Sequence, residues 1–487
     1  MGARTGKQYL HALDTKPREI WLGGRKVSGS ISSHPKFKAM AKSMANLYDM
    51  QHKSELLDVM TYISPSSGER VGMSFLQPKT IDDVRRRGRM MKLWADYSGG
   101  MVGRTPDYLN SDLMAMSAAS EFFGKKDARF GSNIRKYYEY IRENDLLMTH
   151  TLIHPQANRS VGPGKQSDPF LAARVAEKND EGVVIRGARM LATLPLADEI
   201  LVFPSTVIRG SPDDMPYAFA FGIPLSTKGL RFICRESFAE DSSYDHPLAS
   251  RFDEQDAVVI FDNVLVPWER MFLLEDVEGA NTLQEASSGI VFMSHQVAVK
   301  NVAKTEFILG VVSLIVDTIG IDQFQHVQEK VAEVIITLES MKAFLRASEA
   351  DSKINKWGIM TPDFAPLNAA RNLYPKLYPR LREIIQQLCA SGLMALPTEA
   401  DMNSDLREDI DAYYQARNTT ADEKIRLFRL AWEIAGSSFG SRQELYERFF
   451  FGDPVRMAGA LYNWYDKEPY KRKIIEFLHK DEKDEST

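Results

Sequence analysis

The spacing of apolar residues changes twice along the chain. Residues 1–145 carry apolar positions at helical intervals, and residues 276–487 do so again over longer stretches. Between them, residues 146–275 consist of short apolar runs separated by Gly, Pro and Asn, which is typical of β-strands and their turns. The pattern predicts an α+β fold with an N-terminal helical domain, a middle β-barrel or β-sandwich domain, and a C-terminal helix-bundle domain that ends in a charged tail.

Two helix starts in the N-terminal domain can be placed by their capping residues. Thr80 and Asp83 have the spacing of a capping box, in which each side chain bonds the backbone N–H of the other residue. Thr105 precedes Pro106, which pairs a cap residue with a favoured first helical residue. Arg85-Arg86-Arg87-Gly88-Arg89 falls inside the first of these helices, and we interpret it as a solvated helix face.

Short strands are expected throughout the middle domain because each apolar run is bounded by turn residues. The expected strands are Gly182–Thr193, Glu199–Phe203, Tyr217–Ile223, Leu230–Cys234, Asp256–Phe261 and Val264–Pro267. The last two are separated only by Asp262-Asn263, a pair that favours turns. Residues 1–30, by contrast, are polar with turn signals, and we interpret them as an arm that Trp21 attaches to the body.

One apolar stripe in the C-terminal domain has the 4-3-4-3-4 spacing of a helix packed in a bundle. Its members are Val327, Val331, Val334, Leu338, Met341 and Leu345. Further helices are expected over His295–Val312, Tyr378–Leu396 and Asp422–Ala435. A bundle of this kind often forms a subunit interface as well.

The segment Met148–Ser160 concentrates polar groups where the helical domain is expected to meet the β-domain. It contains His150 and His154, two of the nine histidines. Pro155 disfavours a helix through His154, so the segment should be extended, with free backbone groups. Such a segment can bind a polar planar ligand, or it can simply connect two elements. Metal binding by the two histidines is not expected, because no carboxylate can be placed beside them.

The composition is that of an ordinary globular protein, with 44% hydrophobic and 26% charged residues among 487. A formal net charge of −5 argues against nucleic acid as a partner. No run of roughly 18 apolar residues occurs, and the first residues lack the apolar core of a signal peptide, so neither membrane insertion nor secretion is expected. Cys234 and Cys389 stand alone, which disfavours a disulfide framework or an iron–sulfur site. We expect a cytoplasmic enzyme.

Several familiar signatures are absent from the sequence. It contains neither a GxGxxG motif that opens a βαβ unit nor a GxxxxGK[ST] loop, so a classical dinucleotide fold or a P-loop is not expected. It also lacks the HExxH motif of zinc peptidases. The chemistry must therefore be sought in a different arrangement.

The order of the three domains resembles the acyl-CoA dehydrogenase fold. Gly187–Val202 is similar to the flavin-side strand–loop–strand of that fold, and Phe261–Pro267 is similar to the strand that closes its β-domain. Three motifs, Gly103–Asn110, Thr149–Ser160 and Ser441–Arg448, resemble the oxygenase components of the 4-hydroxyphenylacetate 3-monooxygenase family of two-component phenol hydroxylases. The likeness runs from about residue 5 to about residue 475.

The resemblance implies an oxygenase that binds FAD in its reduced form, FADH2, supplied by a separate NADH-dependent reductase. With O2 as co-substrate, such an enzyme hydroxylates a phenol ortho to its hydroxyl group. The expected reaction converts 4-hydroxyphenylacetate into 3,4-dihydroxyphenylacetate, and phenol or a chlorophenol is the alternative substrate within the family. The resemblance also implies a homotetramer, and it leaves open whether the reductase docks or only releases FADH2.

Matching positions assign residues to the substrate, the flavin and a base. The phenol oxygen is expected to meet Arg104, Tyr108 and His150, and a substrate carboxylate is expected to meet Ser205 and Thr206. The residues expected to contact the flavin are His150, Thr151, Leu152, Gln156, Ala157, Asn158, Arg159, Thr193, Gly440, Ser441, Arg442 and Gln443. His295 matches a histidine proposed as a base in relatives that oxidise halogenated phenols, and its alternative is a helix-packing histidine.

These residue types suit oxygen transfer to a phenol. The ring reacts more readily as it approaches phenolate, and a fixed guanidinium lowers the free-energy cost of that negative charge. A histidine can accept the proton near neutral pH. Extended backbone with unpaired N–H groups suits hydrogen bonding to the edges of a flavin, while the cofactor carries out the redox step.

Three other functions fit the domain order less well. An acyl-CoA dehydrogenase needs a glutamate base, and no residue of the sequence is matched to it. A hydroxyacyl-CoA dehydratase needs several cysteines for its iron–sulfur cluster, and Arg104 and Tyr108 stand where a cysteine pair would be wanted. A helical scaffold without enzymatic activity would leave the polar residues around position 150 unexplained.

Overall fold

The N-terminal helices begin where their capping residues place them. In the computed structural model, which describes residues 2–204, 208 and 212–479, the Thr80–Asp83 capping box is formed and a helix follows it, as predicted. The helices of this part are α1 (Gly6–Thr15), α2 (Lys38–Met50), α3 (Leu57–Met60), α4 (Ile81–Tyr97), α5 (Pro106–Ala118), α6 (Ser120–Phe123) and α7 (Ala128–Asn144). Thr105 and Pro106 start α5, which is also as predicted.

Arg87 does not lie on a solvated face of α4, contrary to the prediction for this arginine run. Its side chain is fully buried, and its guanidinium donates to the carbonyl oxygens of Ser74 (2.5 Å) and Leu76 (2.8 Å) and to the hydroxyl of Ser111 (2.7 Å). Burial lowers the pKa of Arg87 to about 10. The prediction holds for Arg85 and Arg89, which are exposed, and is wrong for Arg87. Backbone carbonyls, which a sequence pattern does not reveal, satisfy this cation inside the core.

The strands of the middle domain form two open sheets, which is the sandwich alternative. The N-terminal part contributes β1 (Glu19–Leu22), β2 (Arg25–Lys26), β3 (Thr61–Ile63) and β4 (Arg70–Gly72). The strands of the middle domain are β5 (Met148–Thr151), β6 (Arg174–Lys178), β7 (Gly182–Thr193), β8 (Glu199–Val202), β9 (Phe219–Pro224), β10 (Leu230–Cys234), β11 (Asp256–Pro267) and β12 (Met271–Leu274). One sheet has the order β2-β1-β10-β11-β7-β6 and the other β12-β9-β8-β5, while β3 and β4 form a separate hairpin. The rings of Phe221 and Phe261 meet between the two large sheets, 6.1 Å apart.

The N-terminal arm is more ordered than its polar sequence suggests. It forms α1 and then β1 and β2, and β1 pairs in parallel with β10, with Trp21 opposite Ile233. The arm therefore completes the edge of the larger sheet. Its short strands were not predicted, because their pairing partner, β10, lies more than 200 residues away in the chain.

The two apolar runs around Asp262-Asn263 form one strand. β11 continues through this pair, with a shift of its register against β7 between Phe261 and Val264. Asn263 adopts a left-handed conformation (φ 52°), which asparagine tolerates better than most residues. The turn signal was real, but it marks a β-bulge within a strand rather than the end of one.

The C-terminal part is a bundle organised around one long helix. The short helix α8 (Ala249–Phe252) lies before β11 in the middle domain. The elements of the C-terminal part are α9 (Val277–Ala286), α10 (Gly289–Ile319), α11 (Gln325–Ala350), β13 (Lys353–Ile354), β14 (Met360–Thr361), α12 (Phe364–Cys389), α13 (Glu399–Met402), α14 (Arg407–Tyr413), α15 (Ala421–Ala435), α16 (Ser438–Phe449), α17 (Pro454–Trp464) and α18 (Glu468–Leu478). α10 packs against α4, α5, α11 and α12, which joins the bundle to the N-terminal helices.

The predicted stripe on α11 faces the bundle core. Val327, Val334, Leu338 and Met341 are buried, and the other two members of the stripe are partly buried against the same core. The helix expected to start at Tyr378 begins earlier, because α12 continues through two internal prolines. Among the described residues, no helix is long and apolar enough to cross a membrane.

Candidate functional site

The edge strand β5 carries His150 into the interior. The hydroxyls of Thr149 and Thr151 donate to the carbonyl oxygens of Thr193 and Met190 on β7. Because side chains alternate along a strand, His150 points the opposite way. Its ring lies 5.9 Å from the ring of Tyr108, and its side chain is buried.

Arg104 and Tyr108 approach the same place from the start of α5. The backbone N–H of Arg104 donates to Oε1 of Glu254 (2.7 Å), which fixes the chain as it enters the helix. The Arg104 guanidinium lies 4.8 Å from the centre of the Tyr108 ring, and its Nη1 donates to the hydroxyl of Tyr446 (2.7 Å). The structure therefore brings together the three residues that the sequence assigned to the phenol oxygen.

The electrostatics of this cluster favour neutral Tyr108 and His150 beside a charged Arg104. Burial, reinforced by the Arg104 charge, holds the pKa of His150 well below its ordinary value. Burial raises the pKa of the Tyr108 hydroxyl to about 12. Nδ1 of His150 and Nε of Arg104 are buried and have no hydrogen-bond partner among the described residues. One guanidinium donor and one imidazole nitrogen are thus available to a ligand.

Two of the segments assigned to the flavin lie side by side. Thr151 bonds Met190 (2.8 Å), and Ile153 forms a β-bridge with the same residue. The Leu152 carbonyl accepts a hydrogen bond from Arg189 on β7 (3.0 Å). β5 and the end of β7 therefore form one surface, although Thr151 and Leu152 already have protein partners there.

Arg442 links α16 to the end of that surface. Its Nε and Nη2 donate to the two carboxylate oxygens of Asp256 (2.9 and 2.7 Å), and its Nη1 donates to Oε2 of Glu254 (3.0 Å). Asp256 also accepts a hydrogen bond from the hydroxyl of Thr193 (2.8 Å). Burial alone would raise the pKa of Asp256, but Arg442 and Arg235 outweigh it and hold that pKa well below the ordinary value.

The other three assigned residues of α16 have different environments. Gly440 is buried, and a Cβ atom there would lie 2.4 Å from the carbonyl oxygens of Glu433 and Ile434. Gln443 is buried too, and its amide nitrogen donates to the Met101 carbonyl (2.7 Å). Ser441 is exposed. Gly440 and Gln443 thus hold the helix in place, and contact of these three residues with flavin stays a prediction.

The assigned residues Gln156, Ala157, Asn158 and Arg159 lie on an exposed loop after β5. Oδ1 of Asn158 accepts hydrogen bonds from the backbone N–H (3.0 Å) and hydroxyl (2.7 Å) of Ser160, so that side chain stabilises the loop. None of the contacts found for this loop in the described chain reaches the buried cluster. Ser205 and Thr206, assigned to a substrate carboxylate, lie outside the described residues.

His295 is buried on α10, where it faces two other helices. Its Nε2 lies 3.0 Å from Oε1 of Glu349 on α11, and a Cβ atom at Gly88 of α4 would lie 3.5 Å from the ring. The next residue, Gln296, turns instead towards Thr105 and Asp107 at the start of α5. These contacts favour the helix-packing interpretation of His295, and its role as a base stays a prediction.

The sequence assignment missed two aromatic residues of the site. Phe450 lies 5.4 Å from the Tyr108 ring and 4.8 Å from the Tyr446 ring. A signal for both was available, because Arg442, Tyr446 and Phe450 are spaced four apart and therefore share one face of a helix. Glu254, which binds both Arg104 and Arg442, had no comparable signal.

The fold defines the class of protein. A helical domain, a two-sheet β-domain and a helix bundle in this order form the acyl-CoA dehydrogenase-like arrangement predicted above. A 4-hydroxybutyryl-CoA dehydratase from the archaeon N. maritimus, at 19% identity, shares it with a TM-score of 0.87 over 98% of this chain and 95% of that chain. Family models then match nearly the whole chain: 4-hydroxyphenylacetate 3-hydroxylase N terminal at residues 5–273, and its C terminal at residues 280–479. The chain belongs to the 4-hydroxyphenylacetate 3-hydroxylase family.

Similar proteins agree with this assignment over full length. The 4-hydroxyphenylacetate 3-monooxygenase oxygenase component of Thermus thermophilus is 50% identical over 477 residues, which cover 98% of this chain and 97% of that protein. A crystal structure of such an oxygenase component with FAD and 4-hydroxyphenylacetate has 50% identity and a TM-score of 0.95, covering 99% of both chains. The family and the fold predicted from the sequence are confirmed.

Proposed function

We propose that this chain is the oxygenase component of a two-component, FAD-dependent monooxygenase that hydroxylates 4-hydroxyphenylacetate ortho to its hydroxyl group. The observation that supports this most directly is the buried cluster of Arg104, Tyr108 and His150, in which two nitrogens have no hydrogen-bond partner among the described residues. An oxygenase component works with a separate reductase that supplies the reduced flavin. The product would be 3,4-dihydroxyphenylacetate.

The cluster can bind a phenol through its oxygen. The substrate hydroxyl donates its hydrogen to Nδ1 of His150, which is neutral because burial lowers its pKa. Nε of Arg104 donates to the same oxygen and stabilises the negative charge that grows on it as the ring is attacked. The anionic oxygen in turn raises the pKa of His150, so the imidazole becomes a better proton acceptor as charge develops.

The surface beside the cluster fits a flavin. Leu191 is 50% exposed and held in a left-handed conformation (φ 57°), so the end of β7 presents one apolar side chain on which a planar ring can rest. Residues 151 and 152 contact β7 just before Leu191, and Thr193 and Arg442 lie beyond it. Bound reduced FAD would supply, together with O2, the electrophilic oxygen. The buried protein groups would orient the phenol and exclude water from it.

Asn281 of α9 holds Ile208, the first described residue after Ser205 and Thr206. Its side-chain amide accepts from the backbone N–H of Ile208 (3.0 Å) and donates to the Ile208 carbonyl (2.9 Å). These two hydrogen bonds fix Ile208. We propose that a substrate carboxylate binds Ser205 and Thr206, which lie outside the described residues. Substrate selection within the family would then depend on that carboxylate.

Product analysis tests the proposed reaction. The purified chain is supplied with O2 and with FADH2 from a separate NADH-dependent reductase, and 4-hydroxyphenylacetate, phenol and 4-chlorophenol are compared. We expect 4-hydroxyphenylacetate to be hydroxylated fastest, giving 3,4-dihydroxyphenylacetate, because it is the only one of the three substrates with a carboxylate. The reductase alone serves as the control. Faster turnover of phenol or 4-chlorophenol would favour the alternative substrates, and reoxidation of flavin with no catechol from any of the three would exclude the reaction.

A homotetramer is proposed as the working assembly. The last two helices expose a row of large apolar side chains that water would disfavour. They are Val455, Tyr462, Ile474, Ile475, Phe477 and Leu478. We expect light scattering to give four times the chain mass of 55.1 kDa, and a monomer mass at micromolar concentration would contradict the proposal. The predicted cytoplasmic location stays a prediction.

A further inference from the structure

Tyr446 lies behind Arg104 and touches it in two ways. Its hydroxyl accepts a hydrogen bond from Nη1 of Arg104 (2.7 Å) and donates one to the carbonyl oxygen of Gly103 (3.2 Å). Its ring also lies 5.4 Å from the Arg104 guanidinium. The Tyr446 hydroxyl thus holds both the side chain of Arg104 and the backbone of the preceding residue, Gly103.

The bond to Tyr446 determines which part of the Arg104 guanidinium remains free. A guanidinium presents two edges to a carboxylate or another oxygen ligand, one formed by Nη1 and Nη2 and the other by Nε and Nη2. Tyr446 occupies Nη1, while Nε is buried and has no partner among the described residues. The Nε–Nη2 edge is therefore the one available to a ligand beside Tyr108 and His150.

Tyr446 is itself held firmly. Its ring centre lies 4.8 Å from that of Phe450, with the two planes tilted by 46°, and the cations of Lys300 and Arg442 each lie 5.0 Å from its centre. Lys300 is balanced by Glu447 (2.5 Å) and Arg442 by Glu254 (3.0 Å), so the cations around the ring have buried carboxylate partners. The hydroxyl is therefore a fixed point from which Arg104 can be aimed.

Gly103 makes this approach possible. A Cβ atom at Gly103 would lie 2.3 Å from Cζ and from the hydroxyl oxygen of Tyr446, far inside the contact distance. Gly103 has no unusual φ angle that would require glycine. Its lack of a side chain is explained by the tyrosine that packs against it.

We propose that Tyr446 is a positioning residue of the oxygenase, which holds the Arg104 guanidinium so that its Nε–Nη2 edge faces the phenol oxygen. Tyr446 acts through Arg104 and does not contact the substrate. The proposal rests on the proposed function, because it gives Arg104 its role there. It assigns bundle helix α16 a part in substrate ionisation in addition to its contacts with the β-domain.

The test compares Tyr446→Phe with the wild type. Removal of a hydrogen bond to a charged group should lower kcat/KM about tenfold while the dissociation constant for reduced FAD stays unchanged. The second measurement is the apparent pKa of bound 4-nitrophenol, followed by the visible absorbance of its phenolate. The wild type should lower this pKa relative to water, and Tyr446→Phe should raise it by about one unit, which corresponds to the same tenfold effect.

A matched control removes a different buried hydroxyl from the same bundle. Tyr378 on α12 is fully buried, and its hydroxyl has no partner among the described residues, so Tyr378→Phe should leave the pKa of bound 4-nitrophenol unchanged. Gly103→Ala is the second variant: its added methyl group displaces the Tyr446 hydroxyl and should reproduce the pKa shift. Combined with Tyr446→Phe, it should add little further.

The possible failures are distinguishable. If Tyr446→Phe and Gly103→Ala both leave the pKa of bound 4-nitrophenol at the wild-type value, Tyr446 does not position Arg104. If the wild type itself neither forms a catechol nor lowers the pKa of the bound probe, the proposed function fails instead. An equal shift in Tyr378→Phe would mean that general loosening of the bundle causes the effect, and it would also overturn the proposal.

Discussion

Arg104→Ala will nearly abolish hydroxylation while leaving flavin binding largely intact. Arg104 is the cation of the buried cluster whose Nε is available to the phenol oxygen. Loss of one preorganised donor to a developing negative charge costs roughly a hundred- to a thousandfold in rate. The fold should tolerate the change. The backbone N–H of residue 104 can still donate to Glu254, because this hydrogen bond does not involve the side chain, and the Tyr446 hydroxyl can still donate to the Gly103 carbonyl. Measurement of kcat/KM alongside the dissociation constant for reduced FAD checks both statements.

Arg104→Lys is the informative companion variant. Lysine keeps the positive charge but lacks the planar fork that can bond Tyr446 and the substrate at once. We therefore expect its kcat/KM to lie between those of the wild type and Arg104→Ala. Unchanged turnover in Arg104→Ala would remove Arg104 from the site. A loss confined to flavin affinity would place Arg104 at the cofactor instead.

Local signals in the sequence predicted the parts of the fold that depend on local physics. The capping box at Thr80, the Thr105-Pro106 start of α5 and strand β10 all stand where the pattern placed them. Each depends on groups within a few residues of one another, which a sequence displays directly. The bulge at Asn263 was visible too, although as a turn.

Distant pairing accounts for most of what the sequence did not reveal. β1 needs β10 as its partner, and Arg87 needs carbonyls from a different segment. No periodicity within the arm or within α4 carries that information. The same limit applies to Glu254, whose two arginine partners lie 150 and 188 residues away.

Short motifs predicted which residues gather in the buried cluster, while their roles stay predictions. Arg104, Tyr108 and His150 each came from a motif, and the structure places them in one buried cluster. Of the two stretches assigned to the flavin around β5, residues 150–152 lie beside β7, whereas residues 156–159 lie on an exposed loop. Tyr446 stood inside an assigned motif and was overlooked, since its partner is reached only through the packing of α16.

Arg442→Met will lower the stability of the protein more than any surface substitution on α16. Arg442 pairs with Glu254, which is buried, and with Asp256 at the start of β11, whose side chain is 16% exposed. Methionine fills similar volume without the charge, so both carboxylates lose a positively charged partner. Removing one partner of such a network costs about 3–5 kcal/mol in the free energy of unfolding. Urea titration followed by circular dichroism measures the loss.

A matched control lies on the same helix. Arg448 pairs with Glu444 at 2.6 Å, but its side chain is 41% exposed, so Arg448→Ala should cost less than about 1 kcal/mol in the free energy of unfolding.

The pH dependence of the free energy of unfolding is a second check on Arg442→Met. The pKa of Asp256 is depressed in the folded wild type, so the stabilisation it contributes is present above the unfolded pKa of about 3.9 and is lost as the pH falls towards the folded value. The difference in the free energy of unfolding between the wild type and Arg442→Met should therefore be largest at neutral pH and become smaller below about pH 4. If this difference does not change with pH, Arg442 stabilises the protein by packing alone.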